Sequence, residues 1–401
     1  MFLTQSHHPQ LLPPDAYRSD RQSDLERQHL LTDSWMFVGT THEFPRDGSY
    51  LTLNLLDQPI VVWRRDDQYR GFLNVCPHRY STLTDQPAGQ CDRLVCQYHG
   101  WEFDAGGDTR KIPDAVNFRP LKKGMLGLTP IATAVVGNLV LVNLHPDPTS
   151  IEDFFGDQLP FVKQFYNSPR PVILRMDQPH DCNWKVVVEN ALESYHVSMV
   201  HSKTLGQSAE AERCNHEIYD NGSRYIEDLS QSNEGPAGTA RRILNFLRFQ
   251  PDRRYHHLLV HPSLMFTNAA PFSLVQNVIP LTPTTSISRW VVLGYQTDPP
   301  TTRQRLLHPL LKQFGKRFFT TLLEEDRVIQ ASVQRGLNSA RIPRGGLISA
   351  REERIFHFQR MVCDRTGIAP ETDTTQSDVT QTTDNDPTET PLRPSPQQTI
   401  A

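Results

Sequence analysis

The sequence predicts an α+β protein with two folded units and an unstructured C-terminal tail. Short segments of alternating apolar and polar residues follow one another from Trp35 to about His145, a pattern typical of a small antiparallel β domain. A larger region from Ile151 to Arg365 combines strand-like segments with a long amphipathic helix near its end. From Thr366 onward Pro, Thr, Asp and Gln dominate, so this stretch cannot supply a hydrophobic core.

These shifts in composition divide the chain into four parts. We predict a lead-in at 1–34 that packs on the larger domain, a β domain at 35–145, an α+β domain at 146–365 and a disordered tail at 366–401.

The overall composition excludes several classes of protein. The 401 residues are 37% hydrophobic and carry a formal net charge of −4, which argues against a nucleic-acid partner. No apolar run approaches the roughly 18 residues that span a bilayer, and Met1 to Gln10 lack the basic-then-apolar order of a signal peptide. Six dispersed cysteines are too few for a disulfide scaffold. We therefore expect a cytoplasmic protein without a membrane anchor.

The elements of the first 145 residues follow from local patterns. Ser23 is a plausible N-cap for a helix over Asp24 to Leu31. Alternating segments bounded by turn residues then predict strands at Tyr50 to Leu55, Ile60 to Arg65, Tyr69 to Val75, Arg93 to Cys96, Ile131 to Val136 and Leu139 to Leu144.

Two cysteine–histidine pairs lie in this β domain, each directly after a predicted strand. Cys76 and His78 form a C-x-H pair, and after seventeen intervening residues Cys96 and His99 form a C-x-x-H pair. A structural zinc site would use the same four ligand types. The spacing instead favours a Rieske [2Fe–2S] cluster, in which two thiolates hold one iron and two imidazoles hold the other. Gly100 would allow the backbone to approach the cluster closely.

The run from Asn183 to His201 is the first candidate for a second metal site. Glu193 and His196 are three residues apart and so share a helix face. His201 would lie about 140° around an ideal helix from His196. We therefore expect the helix to end between the two histidines or to contain a π-type bulge. The alternative is a helix that carries two histidines with unrelated roles, which would have the same sequence.

The long helix, predicted over Thr320 to Leu337, supplies a matching carboxylate. Its apolar stripe consists of Leu322, Ile329, Val333 and Leu337. Asp326 falls within that stripe, whereas Glu324 and Glu325 fall outside it. A carboxylate on a buried face needs a partner, either a salt bridge or a metal ion. With His196 and His201, Asp326 would complete a 2-His-1-carboxylate site for Fe(II).

The order of these motifs resembles the large, or alpha, subunit of Rieske non-haem iron oxygenases over roughly residues 20 to 360. The motifs that carry the resemblance are the two cysteine–histidine pairs, Asn183-Trp184-Lys185, Glu189-Asn190, Tyr195-His196, His201 and Asp326 followed by Val333-Gln334-Arg335-Gly336-Leu337. The resemblance implies a helix-grip second domain and a homotrimer in which each Rieske centre faces the iron of a neighbour. It leaves open a small second subunit.

Two positions depart from many ring-hydroxylating members of this family. Leu192-Glu193 stands where those members have Gly-Asp, and members that act on quaternary amines, such as carnitine and glycine betaine oxygenases, also have Glu there. The resemblance implies that Glu193 links the two metal sites across a subunit boundary and ligates neither. Tyr80 stands where a glycine often follows the His-Arg of the first loop.

We therefore expect a terminal oxygenase that uses O₂ to hydroxylate or N-demethylate a small substrate. No G-x-G-x-x-G follows a predicted strand, so a separate NAD(P)H-dependent reductase or a ferredoxin should supply electrons. The alternatives are an aromatic-ring cis-dihydroxylating dioxygenase and a Rieske electron carrier or binding protein without oxygenase activity.

A methylated, cationic amine is the favoured substrate class. Predicted strands at Leu258 to Thr267, Phe272 to Ile279 and Ser286 to Tyr295 carry aromatic residues, and aromatic faces can bind an ammonium group. Strand alternation places Trp290 and Tyr295 on opposite sides, so at most two or three of the rings can form one cage. The predicted pocket residues are Asn190, Phe266, Phe272 and Trp290.

Overall fold

The computed structural model confirms the α+β class, with a β-rich first unit and a second unit in which helices cover one large sheet. In the part of the chain that the structure describes, no helix is both long and apolar enough to cross a membrane. The predicted disordered tail lies outside the described residues from position 371 onward. The described residues are 2–122, 124–167, 170–207, 209–229, 242, 254–295, 300–343 and 346–370.

The N-terminal segment contains a helix, but it begins earlier than expected. Helix α1 spans Asp20–Glu26, and the side chain of Ser19 caps it by accepting a hydrogen bond from the backbone N–H of Gln22. The chain continues as a π-helical turn over Arg27–Leu31. Ser23 therefore lies inside the helix, because the cap four residues earlier starts the same periodic run.

The first unit is built on a seven-stranded antiparallel sheet. Its spatial order is β2, β11, β10, β5, β4, β3, β6. The strands are β2 Met36–Thr40, β3 Ser49–Leu55, β4 Gln58–Arg65, β5 Gln68–Leu73, β6 Ala88–Gln90, β10 Pro130–Val136 and β11 Leu139–Asn143. A separate three-stranded sheet consists of β7 Leu94–Val95, β8 Glu102–Phe103 and β9 Thr109–Lys111.

The second unit contains another seven-stranded antiparallel sheet, in the order β12, β18, β17, β16, β15, β14, β13. Its strands are β12 Val172–His180, β13 Cys214–Tyr219, β14 Gly222–Asp228, β15 Arg254–Val260, β16 Leu264–Ala269, β17 Phe272–Thr282 and β18 Thr285–Gly294. The single strand expected over 258–267 is thus two strands joined by a tight turn at His261–Ser263. Two short strands, β1 His8–Pro9 and β19 Leu347–Ile348, pair with each other and so connect the N-terminal segment to the region before the last helix.

The helices of the second unit frame this sheet. They are α2 Ile151–Phe155, α3 Leu159–Tyr166, α4 Trp184–Ala191, α5 Val197–Val200, α6 Thr302–Leu337 and α7 Glu353–Thr366. Helix α6 is 36 residues long and starts at a capping box between Thr301 and Gln304, well before the expected start at Thr320. Pro309 lies within the first turns of α6. Proline disfavours a helix interior, but the helix continues through it.

The two faces of the second sheet pack against different partners. Leu258 and Phe266 belong to a core with Phe37 of the first unit and Phe155 of α2. Their neighbours Leu259 and Met265 belong to a core with α4 and α7. We call the face of Leu259 and Met265 the inner face and the opposite one the outer face, since alternate residues of a strand point to opposite sides.

The buried stripe of α6 differs from the expected one. Phe319, Leu323, Gln330 and Gln334 are buried, whereas Ile329 and Val333 are 38% and 46% exposed. The correction has a physical reason, because the helix packs against polar groups of α4 rather than only against apolar side chains. Gln334 Oε1 accepts from the Asn183 backbone N–H at 2.8 Å, and Gln330 Nε2 donates to Asn190 Oδ1 at 2.7 Å.

A buried ion pair joins α4 to the N-terminal segment. Lys185 Nζ lies 2.6 Å from Glu26 Oε1, and the two side chains are 0% and 1% exposed. The same carboxylate accepts hydrogen bonds from Trp184 Nε1 at 2.7 Å and Gln22 Nε2 at 3.0 Å. Burial lowers the pKa of Lys185, although the charge of Glu26 opposes this effect. The pair therefore fixes the start of α4 against α1 at the cost of two desolvated charges.

Lys185→Met is expected to destabilise the protein by about 3–5 kcal/mol, because Glu26 would stay buried without its counter-charge. The double variant Glu26→Gln/Lys185→Met should recover most of that loss. The measurement is the unfolding midpoint in chemical denaturant. Asp57→Asn, which removes the exposed partner of Arg27, is the control and should leave the midpoint unchanged. A Lys185→Met protein as stable as the wild type would refute this role.

Candidate metal centres

The two cysteine–histidine loops have the same backbone turn. The backbone N–H of Tyr80 donates to the Cys76 carbonyl at 3.0 Å, and that of Gly100 donates to the Cys96 carbonyl at 2.9 Å. Both turn residues have positive φ, 61° for Tyr80 and 71° for Gly100. Glycine adopts this conformation without strain, whereas tyrosine does so at a cost. Tyr80 is also 82% exposed, so little packing within the chain offsets that strain.

The four side chains of these loops are arranged as a thiol pair and an imidazole pair. Cys76 and Cys96 are 1% and 3% exposed. Burial raises the pKa of Cys76, and the adjacent thiol of Cys96 raises it further. The rings of His78 and His99 lie edge to face with centroids 4.8 Å apart, and Trp101 stacks on His78 at 4.9 Å. This grouping fits a cluster that takes two sulfur ligands on one side and two nitrogen ligands on the other.

His196, His201 and Asp326 come together in the second unit, with one ligand-type atom from each lying within 4.8 Å of the others. We expected a helix end or a π-type bulge between the two histidines, and the structure has a different arrangement. Helix α4 ends earlier, at Ala191, and the short α5 separates the two rings, with His196 as its N-cap and His201 as its C-cap. The break at 192–196 turns His196 toward His201, and their ring centroids lie 5.1 Å apart.

A glutamate backs each of the two imidazoles. His201 Nδ1 lies 2.8 Å from Glu325 Oε2, and His196 Nδ1 forms a short hydrogen bond with Glu193. The Nδ1 protons are therefore held by the carboxylates, so that both Nε2 atoms face Asp326. Burial disfavours the charged form of His201, but the carboxylates of Asp326 and Glu325 outweigh it and raise its pKa.

The carboxylate of Asp326 is positioned for a cation. Its Oδ1 lies 3.0 Å from His201 Nε2 and 3.7 Å from His196 Nε2. This buried atom nevertheless has no hydrogen bond of acceptable geometry among the described residues. Three donor atoms that converge without bonding one another fit a metal ion between them. Glu324 instead pairs with Arg327 at 2.7 Å on the exposed side of α6.

The predicted pocket residues divide between the two faces of the sheet. Trp290 is on the inner face, opposite Gln276 of β17, and Phe272 packs there against Phe319 of α6. Asn190 holds Gln330 as described above. Phe266 is a correction, because it is 1% exposed in the outer core. The register places it directly opposite Leu258, so that both side chains face the outer core.

Two tyrosines that sequence reasoning missed line the inner face instead. Tyr225 and Tyr255 lie with ring centroids 5.8 Å apart at 65°. Burial raises the pKa of Tyr255 to about 12, and the charges of Glu227 and Asp326 add to this shift. The Tyr225 hydroxyl donates to Glu227 Oε2 at 3.1 Å. Strand alternation through β14 and β15 would have identified both rings had these strands been predicted. Tyr295 lies away from them, with its hydroxyl on Asn268.

Arg354 and Glu325 were also missed. Arg354 is 1% exposed, and it donates to Ser223 Oγ at 2.9 Å and to the Leu192 carbonyl at 3.3 Å. Burial lowers its pKa to about 9. This contact fixes the backbone directly before Glu193. The sequence indicated Glu325 only through its position next to Asp326. The fold then places the Glu325 carboxylate beside His201.

Family models match both units. A Rieske [2Fe–2S] domain model matches residues 34–128, and a model described as the catalytic domain of the ring-hydroxylating alpha subunit matches residues 172–368.

Individual relatives and solved structures agree with these matches. The chain is 32% identical over 210 residues to the glycine betaine monooxygenase oxygenase subunit of Chromohalobacter salexigens, which covers 52% of this chain and 47% of that protein. The chain thus spans about half the length of that relative. It is 25% identical over 370 residues to the carnitine monooxygenase oxygenase subunit of Acinetobacter pittii, covering 87% of this chain and 93% of the relative.

A solved quaternary ammonium Rieske monooxygenase in complex with L-carnitine has the same fold, with a TM-score of 0.74 at 22% identity over 89% of this chain and 96% of that one. A Rieske domain followed by this catalytic domain, with donor sets that fit a [2Fe–2S] cluster and a mononuclear iron, defines one family. The chain belongs to the Rieske non-haem iron oxygenases, as an alpha subunit of the ring-hydroxylating type.

Proposed function

We propose that this protein is the terminal oxygenase of a Rieske-type system, which uses O₂ and external electrons to hydroxylate or N-demethylate a small organic substrate. The observation that carries this proposal is the convergence of His196, His201 and Asp326 in a chain that also has a Rieske domain. An electron carrier or binding protein would have no use for the second donor set, so that alternative is disfavoured.

We assign the metal ligands residue by residue. Cys76, His78, Cys96 and His99 hold the [2Fe–2S] cluster in the Rieske domain at 35–145. His196, His201 and Asp326 hold Fe(II) in the catalytic domain at 146–365, to which the lead-in at 1–34 packs. Fe(II) held by two imidazoles and one carboxylate leaves coordination positions open for O₂, and a Rieske cluster supplies electrons one at a time.

The protein residues around this site hold protons and orient the ligands. Glu325 accepts from His201 Nδ1 and is itself held by Thr204 Oγ1 at 2.6 Å. Glu193 accepts from His196 Nδ1 and from the backbone N–H of His196 at 3.1 Å. These bonds keep both Nε2 lone pairs directed at the metal position. Because Glu193 contacts an iron ligand directly, it is suited to carry the coupling to the cluster of a neighbouring subunit.

The proposed partners follow from the electron requirement and the family. A separate NAD(P)H-dependent reductase or a ferredoxin donates electrons, and the chain forms a homotrimer, with or without a small second subunit. None of the described cysteines forms a disulfide, which suits a reducing compartment such as the cytoplasm.

A methylated amine is the proposed substrate. Support comes from the relatives named for glycine betaine and carnitine, from Glu193, and from the aromatic pair Tyr225 and Tyr255 on the inner face. Aromatic faces can attract an ammonium group. Trp290 and Phe272 add two further rings to the inner face, and Asn190 bonds Gln330, one turn after Asp326 on α6. The second candidate is cis-dihydroxylation of an aromatic ring, favoured by the ring-hydroxylating family model.

Asp326→Ala is expected to remove most of the mononuclear iron and to abolish oxygenation, while the visible spectrum of the cluster is retained. The reason is the loss of the only anionic member of the donor set. Iron content and the cluster spectrum are measured on the same anaerobic preparation. Glu324→Ala, which affects only an exposed pair with Arg327, is the matched control. Full iron in Asp326→Ala, or equal loss in Glu324→Ala, would overturn the assignment.

Glu193→Gln is expected to retain both metals but to slow electron transfer from cluster to iron. Glutamine keeps the shape and one acceptor for His196 Nδ1, but it removes the negative charge between the sites. Single-turnover kinetics with a reduced cluster measure the effect, and iron content serves as the check on ligation. Rates equal to wild type would take Glu193 out of the electron path.

The substrate class is tested with a panel of carnitine-, betaine- and choline-like amines against simple aromatic acids. Turnover is scored as O₂ uptake coupled to product, with a surrogate reductase. We expect coupled oxidation of at least one methylated amine. Formation of a cis-diol from an aromatic acid, with no amine oxidised, would favour the dioxygenase alternative.

A further inference from the structure

One closed loop of the Rieske unit, residues 110–126, lies beside the cysteine–histidine pairs. Its ends meet, because the backbone N–H of Thr109 donates to the Leu126 carbonyl at 3.3 Å. The ring of Phe118 meets the ring of His78 edge to face, with centroids 5.3 Å apart. We call residues 110–126 the cluster loop. A partner that binds beside Phe118 would thus be separated from a proposed cluster ligand by a single aromatic ring.

The cluster loop is compact and presents apolar side chains to the outside. Ile112, Phe118 and Leu121 pack against the core of the Rieske unit, whereas Val116 and Met125 are 63% and 61% exposed. An isolated exposed apolar side chain is common on any protein, but two in one short closed loop provide the apolar centre that protein interfaces use. Three successive turns hold them on one compact surface, closed by backbone N–H groups of Asn117, Leu121 and Met125 that donate to the carbonyls of Asp114, Phe118 and Lys122.

The cluster loop is strongly basic, although the whole chain is acidic. Its sequence contains one acid, Asp114, and five cations, which are Arg110, Lys111, Arg119, Lys122 and Lys123. The loop therefore carries a net charge of +4, against −4 for the whole chain. A local charge of opposite sign to the rest of the molecule directs an oppositely charged partner to this surface.

Two cations that follow Phe118 are not neutralised within the described part of the chain. Lys111, at the start of the loop, pairs with Glu102 at 3.2 Å. Arg119 and Lys122 instead are exposed and form no ion pair with a described residue. Both can therefore meet carboxylates of another molecule next to the apolar surface.

These features favour an acidic electron carrier over a second copy of the chain. Two copies of a basic loop would repel each other in a symmetric contact. The Rieske cluster takes up electrons one at a time, so its donor must bind and leave repeatedly. Charge complementarity mainly accelerates association, which suits a contact of this short-lived kind.

We propose that the cluster loop is the docking surface for an acidic iron–sulfur electron carrier. Val116 and Met125 form the apolar centre of this surface, and Arg119 and Lys122 attract the carrier. This inference rests on the proposed function, which requires external electrons but leaves their point of entry open. One electron leaves the reduced carrier and enters the oxidised cluster, so that the carrier is oxidised and the cluster is reduced, and no bond forms or breaks.

The double variant Arg119→Glu/Lys122→Glu tests the role of charge. The probe is a reduced plant-type [2Fe–2S] ferredoxin, which is acidic, mixed anaerobically with the oxidised holoenzyme at low and at high ionic strength. We expect reduction of the wild-type cluster to be faster at low ionic strength. The double variant should be slower by about tenfold or more at low ionic strength, and salt should remove most of the difference. Calorimetric binding of the ferredoxin should weaken in parallel.

Val116→Ser tests the apolar part of the same surface. It removes apolar contact without changing charge, so we expect weaker ferredoxin binding at both ionic strengths. The matched control for charge is Arg21→Glu, since Arg21 is exposed on α1, which bonds Thr366 of the second unit through Gln22. This control should reduce as fast as the wild type. The visible spectrum of the cluster is recorded for every variant, to show that the loop substitutions leave the cluster in place.

Three results would overturn the proposal. Reduction of the wild type that does not depend on salt would exclude charge attraction, and an unchanged rate in the double variant would place docking elsewhere. Equal slowing by Arg21→Glu would mean that only net charge matters. A lower oligomer mass in the double variant, with ferredoxin binding unchanged, would also overturn it, because the loop would then be an interface between copies of the chain.

Failure of the proposed function would be separately visible, because cluster reduction needs neither O₂ nor an organic substrate. If the wild type oxidised no compound of the substrate panel, the oxygenase assignment would fail. Salt-dependent reduction that the double variant loses would still support the docking surface.

Discussion

The contacts between α4 and α6 are the constraint on which the iron site depends. Asp326 belongs to α6, whereas the two histidines follow α4, so the donor set exists only if these helices hold one fixed position. Gln334 and Gln330 supply that position by bonding the backbone of Asn183 and the side chain of Asn190. Directional bonds between buried polar groups set register more strictly than apolar packing does, because a shifted register would leave them unsatisfied. The helix thus uses glutamines where an ordinary amphipathic helix would use leucines.

The carboxylates around the site create a demand for a cation. Glu193, Glu325 and Asp326 all lie against the same two imidazoles. Three negative charges so close together repel one another in a partly buried environment. A divalent ion offsets this repulsion and also accepts the Nε2 lone pair of each histidine. Two protonated histidines could not accept lone pairs from one another. The glutamates therefore both orient the ligands and increase the basicity of the imidazoles.

Local sequence rules predicted the parts of the site that depend on few residues. The loops of the cysteine–histidine pairs are short turns after strands, so spacing alone indicated that they meet. Asp326 was selected although the expected apolar stripe of α6 was displaced by about 75° from the buried one. Asp326 nevertheless lies beside both histidines, because it falls between the two stripes, within about 50° of either. Ile329 and Val333 shifted the expected apolar stripe away from the buried one, since they are apolar yet exposed.

The substrate face could not be predicted in the same way, because it depends on register across several strands. Phe266 is opposite Leu258 across the hairpin at His261–Ser263, so it faces the outer core, and the sequence pattern alone did not show which face of this strand the pocket would use. Tyr225 and Tyr255 were missed because β14 and the start of β15 have mixed, polar sequences without a clear period.

The division of labour between helices and sheet separates the iron chemistry from the choice of substrate. Every proposed iron ligand, and the glutamates behind them, come from α5, α6 and the turn before α5. The groups that would meet a substrate come mainly from β14, β15, β17 and β18. A substitution on the sheet can therefore change charge or shape in the pocket without moving a ligand, because the ligand geometry is set by contacts between helices. Related sheets can thus receive an amine or an aromatic ring under the same donor set, since function resides in the site rather than in the fold.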